Sequence, residues 1–459
     1  MYQARNLKER MTLFISIFLP ILIYQLANFS ASFVDTTMTG QYHTLHLAGV
    51  SMATSLWSPF FTFLTGIVSA LVPIIGHHLG RKQEEKIASD FYQFIYLSLV
   101  LSLLLFGLVF LGAPLVLSNI GLEPLVAEVS IHYLWYLAFG IIPLLLFSVV
   151  RSLLDALGLT RLSMYLMLLL LPLNASFNYI LIYGAFGFPE MGGAGAGLGT
   201  SLAYWVLLIL SVVVAKRHPR IKKYQLWKIR PLDKEGLQEG IRLGFPIGGT
   251  VFAEVVIFSV VGLLMAKFSS LIIASHQSAI SFSNLMYAFP MSISNAMAII
   301  VSYEIGAKRL DYVRKYCVLG RLTALGFAVF TLTFLYLFRY QVASLYGTNK
   351  EFIRLTSIFL TYSLFFQLAD TFAAPLQGIL RGYKDTKVPF YLGLIGYWGV
   401  SLPVGLLLDY MTNLGPFAYW IGLISSLVVS GILYQLRLNH IQKKEISLNV
   451  ASTSFIILN

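Results

Sequence analysis

The sequence has few charged residues and almost no cysteine. Asp, Glu, Lys and Arg make up 11% of the 459 residues, whereas soluble domains carry about 25%. The single cysteine, Cys317, excludes a disulfide within the chain. With 57% hydrophobic residues and a mean hydropathy of +0.77, the composition excludes an ordinary soluble domain and indicates a protein that crosses a membrane many times.

Long apolar runs recur along the whole chain. A helix needs about 20 apolar residues to cross a bilayer core. The first run is too long for a signal-peptide core and no small-residue cleavage site follows it, so we expect it to be retained as a helix. Twelve segments qualify as predicted spans: 11–34, 47–76, 88–112, 127–150, 162–184, 194–215, 240–266, 271–303, 316–338, 353–376, 388–410 and 415–436.

Basic residues are divided unevenly between alternate connections. Counted over the connections, one side of the predicted membrane holds 26 Lys and Arg and the other holds 4. Cytoplasmic loops carry such an excess, so we expect both termini in the cytoplasm. The distribution accounts for the net charge of +12 without a nucleic-acid partner. The largest basic cluster lies in 216–230, where contact with anionic lipid is plausible.

The two halves of the sequence resemble each other at an offset of 226 residues. Each half holds six predicted spans, so both halves enter the membrane in the same sense, as in the parallel repeats of secondary transporters. In such folds the substrate binds between the lobes, which rock to give alternating access. Matching pairs include Pro20 with Pro246, Gly80 with Gly306, Leu154 with Leu380 and Tyr165 with Tyr391.

These observations predict an all-α polytopic membrane protein with twelve transmembrane helices in two lobes. We expect an N-lobe over 1–215, a basic cytoplasmic linker over 216–239 and a C-lobe over 240–459. The protein is expected to lie in the plasma membrane as a monomer surrounded by the lipid bilayer.

Three carboxylates fall in predicted apolar spans: Asp35, Glu254 and Asp370. An acidic residue at a helix centre costs about 2.5–3.5 kcal/mol on insertion scales, so such residues usually face a cavity or a partner. A purely structural interhelical hydrogen bond remains an alternative for the two deeper residues, and a solvated helix end remains one for Asp35.

The repeat does not impose these carboxylates. Glu254 corresponds to Asn28 in the other half, while Asp370 and Asp35 correspond to leucine and valine. A carboxylate removed from water favours its protonated form, and two carboxylates can also hold Na⁺, a cation that prefers oxygen ligands. Either ion could be exchanged for a cationic solute. No serine or cysteine is visibly paired with a base, which disfavours an enzyme.

Other motifs carry simpler interpretations. The segment 192–199, "GGAGAGLG", lacks the spacing of a nucleotide-binding loop and predicts close helix packing through small residues. His77 and His78 have no accompanying ligand set for a metal ion. Asp385, in "RGYKDTK", is predicted to brace a loop with Lys384 and Lys387.

Four segments resemble the multidrug and toxic compound extrusion (MATE) family, in its bacterial NorM-type branch. They are "FVDTTMTG", "GFPIGGTVFAEVVIF", "ASHQSAISFSNLMYAFPMSIS" and "FFQLADTFAAPLQGILRGYKDT". The resemblance covers nearly the whole chain. It implies antiport of cationic amphipathic drugs, such as ethidium and fluoroquinolones, against Na⁺ or H⁺, without any other cofactor.

The resemblance also assigns roles to particular residues. Positions matching Glu254 and Asp370 carry the coupling cation, so both are candidate Na⁺ ligands. The position matching Asp35 is an N-lobe acidic residue needed for transport, and we group Asn28 with it as a proton or drug site. Phe366 stands where relatives can carry tyrosine. The candidate residues of the substrate cavity are Ser55, Gln277, Phe366, Tyr287 and Phe289.

Two other functions remain open from sequence. A flippase for lipid-linked precursors shares the two-lobe plan, but such proteins favour a cationic cavity for pyrophosphate, and the intramembrane charges here are acidic. A membrane enzyme or receptor has no supporting site. The choice between Na⁺ and H⁺ is not settled by carboxylates alone, and the branch resemblance favours Na⁺.

Overall fold

The computed structural model describes residue 4 and residues 6–457, and this part of the chain contains helices and connecting turns but no strands. Seventeen α-helices are found there: α1 (Leu7–Tyr42), α2 (Thr44–Val68), α3 (Leu71–Gly80), α4 (Ile87–Leu117), α5 (Pro124–Ala138), α6 (Ile141–Ala156), α7 (Thr160–Tyr183), α8 (Gly193–Arg217), α9 (Pro219–Lys222), α10 (Lys234–Leu264), α11 (Ser270–Met286), α12 (Ala288–Gly306), α13 (Leu310–Ser344), α14 (Lys350–Gly382), α15 (Lys387–Tyr397), α16 (Ser401–Met411) and α17 (Phe417–Ile457).

Local sequence fixes several helix ends. The side chain of Asn6 accepts a hydrogen bond from the backbone N–H of Glu9 at 2.8 Å, which caps α1. Asn349 caps α14 in the same way, accepting from the N–H of Glu351 at 2.9 Å. The C-terminus of α7 is closed by Gly184, whose φ of 67° favours glycine.

The twelve predicted spans coincide with helical segments of membrane-crossing length. Within the described residues, eleven helical segments are long and apolar enough to span, and α5 with α6, bent by 48°, makes a twelfth if the pair forms one span. The helices extend beyond the apolar runs; α1, for example, covers Leu7–Tyr42 rather than 11–34. Hydropathy detects only the apolar part of a helix, whereas backbone hydrogen bonding continues through its polar ends.

The first of two compact units contains the chain up to Phe252 together with Ser302–Val313. Within it α1 packs on α7, α7 on α8, and α5 on both α2 and α8. Tyr133, Leu137 and Ile182 lie in the buried core at these crossings. The basic linker belongs to this unit.

The second unit contains Ala253–Val301 and the chain from Arg314 onward. Here α14 packs on α11 and α17, and α16 packs on α17. Its core is rich in aromatic residues, with Phe359 and Trp420 fully buried. The unit borders fall inside α10, α12 and α13, so the first unit includes residues 240–252. The predicted division into lobes at 215 and 240 stays a prediction.

Candidate functional site

Two of the three predicted carboxylates lie in the second unit. Glu254 is on α10, one residue after the unit border, and is partly buried. Asp370 is in the middle of α14 and is 5% exposed. The two carboxylates lie within electrostatic reach of each other. The structure therefore brings together the two residues to which the sequence assigned one cation site.

Three tyrosines lie within electrostatic reach of this acidic pair, of which Tyr397 and Tyr434 are buried and Tyr287 is partly buried. Both carboxylates interact electrostatically with Tyr287 and Tyr397, and Glu254 also interacts with Tyr434. Gln377 Nε2 donates to the hydroxyl of Tyr397 at 3.1 Å. Phenolic hydroxyls can donate to a carboxylate or accept from another donor, so this environment suits a negative pair in an apolar core.

A narrow cleft opens beside Asp370. It encloses about 20 Å³ of water-accessible space, enough for about one water molecule and far below the roughly 300 Å³ of a drug site. Three candidates for the substrate cavity, Tyr287, Phe289 and Phe366, line it together with Asp370. Glu254 is absent from the described lining. The size of the cleft suits a small cation rather than a drug.

Oxygen atoms of other side chains share the cleft. Gln367, one turn before Asp370 on α14, and Thr371, directly after it, both line the cleft. Carboxylate, amide and hydroxyl oxygens are the ligands that a hard cation prefers. Phe366 packs edge-to-face against Phe258, with ring centroids 5.6 Å apart. These oxygen atoms would fit a Na⁺ ion at Asp370, with the carboxylate of Glu254 within electrostatic reach.

The remaining two candidates for the substrate cavity are exposed and lie outside the cleft. Ser55 is on α2, where its hydroxyl donates to the carbonyl of Ser51 at 2.9 Å, one turn earlier. Gln277 is on α11 with an exposed side chain. Neither is among the residues that line the cleft, so their roles stay predictions.

Asp35 lies in the first unit at the meeting of α1, α7 and α8. The side-chain amide of Asn178 donates to Asp35 Oδ1, and Thr200 Oγ1 donates to Oδ2 at 3.4 Å. Asn174 Nδ2 in turn donates to Thr200 Oγ1 at 3.0 Å. Tyr133 lies within electrostatic reach of the carboxylate. Both oxygens of Asp35 thus accept hydrogen bonds from neutral side chains.

Asn28 is not a hydrogen-bond partner of Asp35 among the described side chains. It lies two turns earlier on α1 and is partly buried. The partners are instead on α7 and α8, and sequence reasoning missed all of them. One signal was available: Asn174 and Asn178 lie one turn apart within an apolar span, where polar side chains usually bond across helices.

The glycine-rich segment brings α8 close to this network. A Cβ atom at Gly199 would lie 2.2 Å from the side-chain oxygen of Asn178, and one at Gly197 would lie 2.5 Å from the carbonyl of Tyr133. Any larger residue would force the helices apart. The prediction that "GGAGAGLG" serves close helix packing is confirmed.

The carboxylate of Asp385 pairs with Arg437 of α17, at 2.7 Å from Nε, a partner that the sequence did not suggest. The predicted brace with Lys384 and Lys387 stays a prediction. His78 pairs with Asp90 at 3.0 Å. No group of three or more metal-ligating side chains of the His, Cys, Asp and Glu type occurs in the described part of the chain.

Comparisons with known proteins agree with the repeat and the fold. The sequence profile of the MatE family matches residues 20–180 and again residues 246–407. The two matches begin 226 residues apart, the offset found within the sequence. The solved structure of a eukaryotic MATE transporter, AtDTX14, superposes with a TM-score of 0.84 over 94% of this chain and 96% of its own, at 20% identity.

Two curated bacterial relatives match over nearly their full length. A probable multidrug resistance protein NorM from Streptococcus pneumoniae serotype 4 is 70% identical, covering 97% of this chain and 98% of the relative. Another protein of that name from Oceanobacillus iheyensis is 43% identical, covering 97% of this chain and all of the relative. The chain belongs to the MatE family, with the NorM-type sequences as its relatives.

Proposed function

We propose that the protein exports cationic amphipathic drugs in exchange for Na⁺. The observation that carries this proposal is the pair of carboxylates, Glu254 and Asp370, placed within electrostatic reach inside an apolar unit. An acidic pair that is buried at Asp370, partly buried at Glu254 and without a described Lys or Arg partner favours binding of a cation. The names of the relatives, probable multidrug resistance proteins, support drugs as the transported solutes.

In the proposed cycle, Asp370 and Glu254 bind Na⁺ from the outside and lower the affinity for the drug. Rocking of the two lobes then turns the opening of the binding cavity toward the cytoplasm, where the drug binds again. Phe366 keeps an aromatic face beside the site, which attracts cations, but it has no hydroxyl to act as a ligand. H⁺ is the alternative coupling ion, because the same carboxylates can take up a proton.

We propose further that the protein acts in the plasma membrane as a monomer with both termini in the cytoplasm. The acidic pair disfavours the alternative function, a flippase for lipid-linked precursors. A negative site would repel a pyrophosphate group, and in an apolar interior this repulsion is only weakly screened.

The experiment is ethidium efflux from loaded cells that express the protein. We expect Glu254→Gln and Asp370→Asn each to reduce efflux at least tenfold, because each substitution removes a negative charge from the cation site. Glu351→Gln is the matched control, since Glu351 forms an exposed pair with Arg354 and such pairs contribute little. If both site variants export ethidium as well as the control, the assignment of the site is wrong.

A further inference from the structure

The basic linker between α8 and α10 is anchored to a membrane-spanning helix. Tyr92 on α4 donates to the carbonyl of Leu226 at 2.7 Å, and Tyr96 donates to the carbonyl of Arg230. Gln93, which is 1% exposed, donates to the carbonyl of Pro231 at 3.0 Å. The linker is thus a bound segment of the first unit rather than a free tether.

These contacts fix the depth of the linker. Tyr92 and Tyr96 lie five and nine residues after Ile87, the first residue of α4, which corresponds to about 8 and 14 Å along the helix. The linker therefore runs beside the first turns of a transmembrane helix. We expect a segment beside the first turns of a membrane-crossing helix to lie at the level of lipid headgroups rather than in bulk water.

Apart from Gln225, the exposed side chains of residues 216–232 are basic or apolar. Tyr224 and Leu226 are buried, whereas Trp227, Ile229 and Leu232 are 43%, 80% and 58% exposed. Residues 216–232 contain seven Lys and Arg and no Asp or Glu. Lys223 pairs with Glu84. Five other basic side chains are exposed: Lys216, which lies 5.9 Å from the centroid of the Trp227 ring, Arg217, Arg220, Lys222 and Lys228.

We propose that this linker is a binding surface for anionic phospholipids, with its basic side chains on the headgroups and Trp227, Ile229 and Leu232 in the headgroup–acyl boundary. Charge complementarity selects an anionic bilayer as the occupant, and exposed apolar side chains at that depth are typical of interfacial segments. A soluble phosphate would satisfy the charges but would leave the three apolar side chains in water.

The test uses the full-length protein in lipid nanodiscs. A spin label is attached at Ile229→Cys in a Cys317→Ala background, since Cys317 is the single native cysteine and is buried. Collisions with oxygen and with a water-soluble nickel complex report the depth of the label. Nanodiscs contain phosphatidylcholine alone or phosphatidylcholine mixed with phosphatidylglycerol.

We expect the label to lie deeper in the nanodiscs that contain phosphatidylglycerol. We also expect retention of phosphatidylglycerol, measured by native mass spectrometry, to fall at least tenfold when Arg217, Arg220, Lys222 and Lys228 are all replaced by Gln. Each charge near an anionic surface contributes about fivefold. Inorganic phosphate should not shift the label. The matched control replaces four exposed basic residues elsewhere: Arg81, Lys350, Lys443 and Lys444.

Three outcomes would overturn the proposal. One is an equal label depth in both kinds of nanodisc, which needs only the labelled protein and so does not depend on folding of the fourfold variant. A second is an equal loss of lipid in the control variant. A third is a loss of the phosphatidylglycerol-dependent label depth when free phosphate is added, which would identify an anion site instead of a bilayer surface. None of these outcomes bears on the drug efflux proposed above.

Discussion

At the scale of single residues, the environment of Asp35 differs from that of a solvated helix end. The helix continues for seven residues beyond it, to Tyr42, and both carboxylate oxygens accept hydrogen bonds from side chains of other helices. No Lys or Arg is among its described hydrogen-bond partners. The carboxylate is held by neutral donors, an arrangement that leaves its charge available to a proton or a cationic solute.

Replacing Asp35 by Asn is expected to reduce ethidium efflux about tenfold. The substitution removes the negative charge and turns one acceptor oxygen into an amide donor, which would meet another donor if it faced Asn178. An unsatisfied donor shielded from water costs about 1–3 kcal/mol. Thr200→Val should cause a smaller loss, because it removes one hydrogen bond and keeps the charge. Efflux is measured at matched amounts of protein in the membrane. Wild-type efflux by Asp35→Asn would show that Asp35 only terminates the apolar part of α1.

The sequence predicted which residues carry charge in the membrane but not which residues contact them. Asp35, Glu254 and Asp370 are conspicuous because carboxylates are costly in apolar spans. Their partners are ordinary residues such as Asn178 and Tyr397, brought close by helices distant in sequence. The polarity of an asparagine or tyrosine does not reveal which neighbour it meets.

At the scale of helices, the repeat predicts equivalent positions and the structure adds a contact between them. Within the first unit, the end of α3 crosses the end of α12. A Cβ atom at Gly80 would lie 2.3 Å from the carbonyl of Tyr303 and 2.7 Å from the carbonyl carbon of Gly306, its repeat equivalent. Gly76 meets Ser302, which is also its equivalent at the offset of 226. The crossing thus joins matching points of the two repeats.

Gly80→Ala is expected to destabilise the protein by about 1–3 kcal/mol, because the added methyl group overlaps the backbone of α12 and the helices must separate. Thermal unfolding of the purified protein in detergent measures the effect. Gly107→Ala on α4 is the matched control, since a Cβ atom there meets nothing within 4 Å. Equal melting temperatures for the two variants would contradict a tight crossing.

The partner of Asp385 shows why loop contacts were harder to predict than helices. Sequence proximity suggested Lys384 and Lys387 as partners but gave no sign of Arg437, 52 residues further along, with which the carboxylate pairs. Apolar runs predict spans because each helix satisfies its own backbone. An ion pair between two elements depends on their packing, which local sequence does not specify.

At the scale of the whole molecule, the two halves share a framework but differ in chemistry. The family profile matches each half once. The deep carboxylates Glu254 and Asp370 both lie within the second match, residues 246–407. Asp35 has no acidic equivalent there. This asymmetry was visible in the sequence, because the offset of 226 aligns Glu254 with Asn28 and Asp35 with Val261.

The asymmetry predicts that two separate sites respond differently to ions. In proteoliposomes at fixed pH, an imposed inward Na⁺ gradient should drive release of the drug if Glu254 and Asp370 are the proposed Na⁺ site. Glu254→Gln should abolish this Na⁺ dependence. Asp35→Asn should lower the maximal rate and leave the apparent Na⁺ affinity unchanged, because its carboxylate belongs to the network of Asn178 and Thr200.

A proton gradient at fixed Na⁺ is the decisive comparison. If release follows the proton gradient and ignores Na⁺, the coupling ion is H⁺ and the acidic pair acts by taking up a proton. If Asp35→Asn weakens the apparent Na⁺ affinity as strongly as Glu254→Gln does, the two halves do not hold separate sites. Retained Na⁺-driven release in Asp35→Asn, together with its loss in Glu254→Gln, would assign ion coupling to the second half of the molecule.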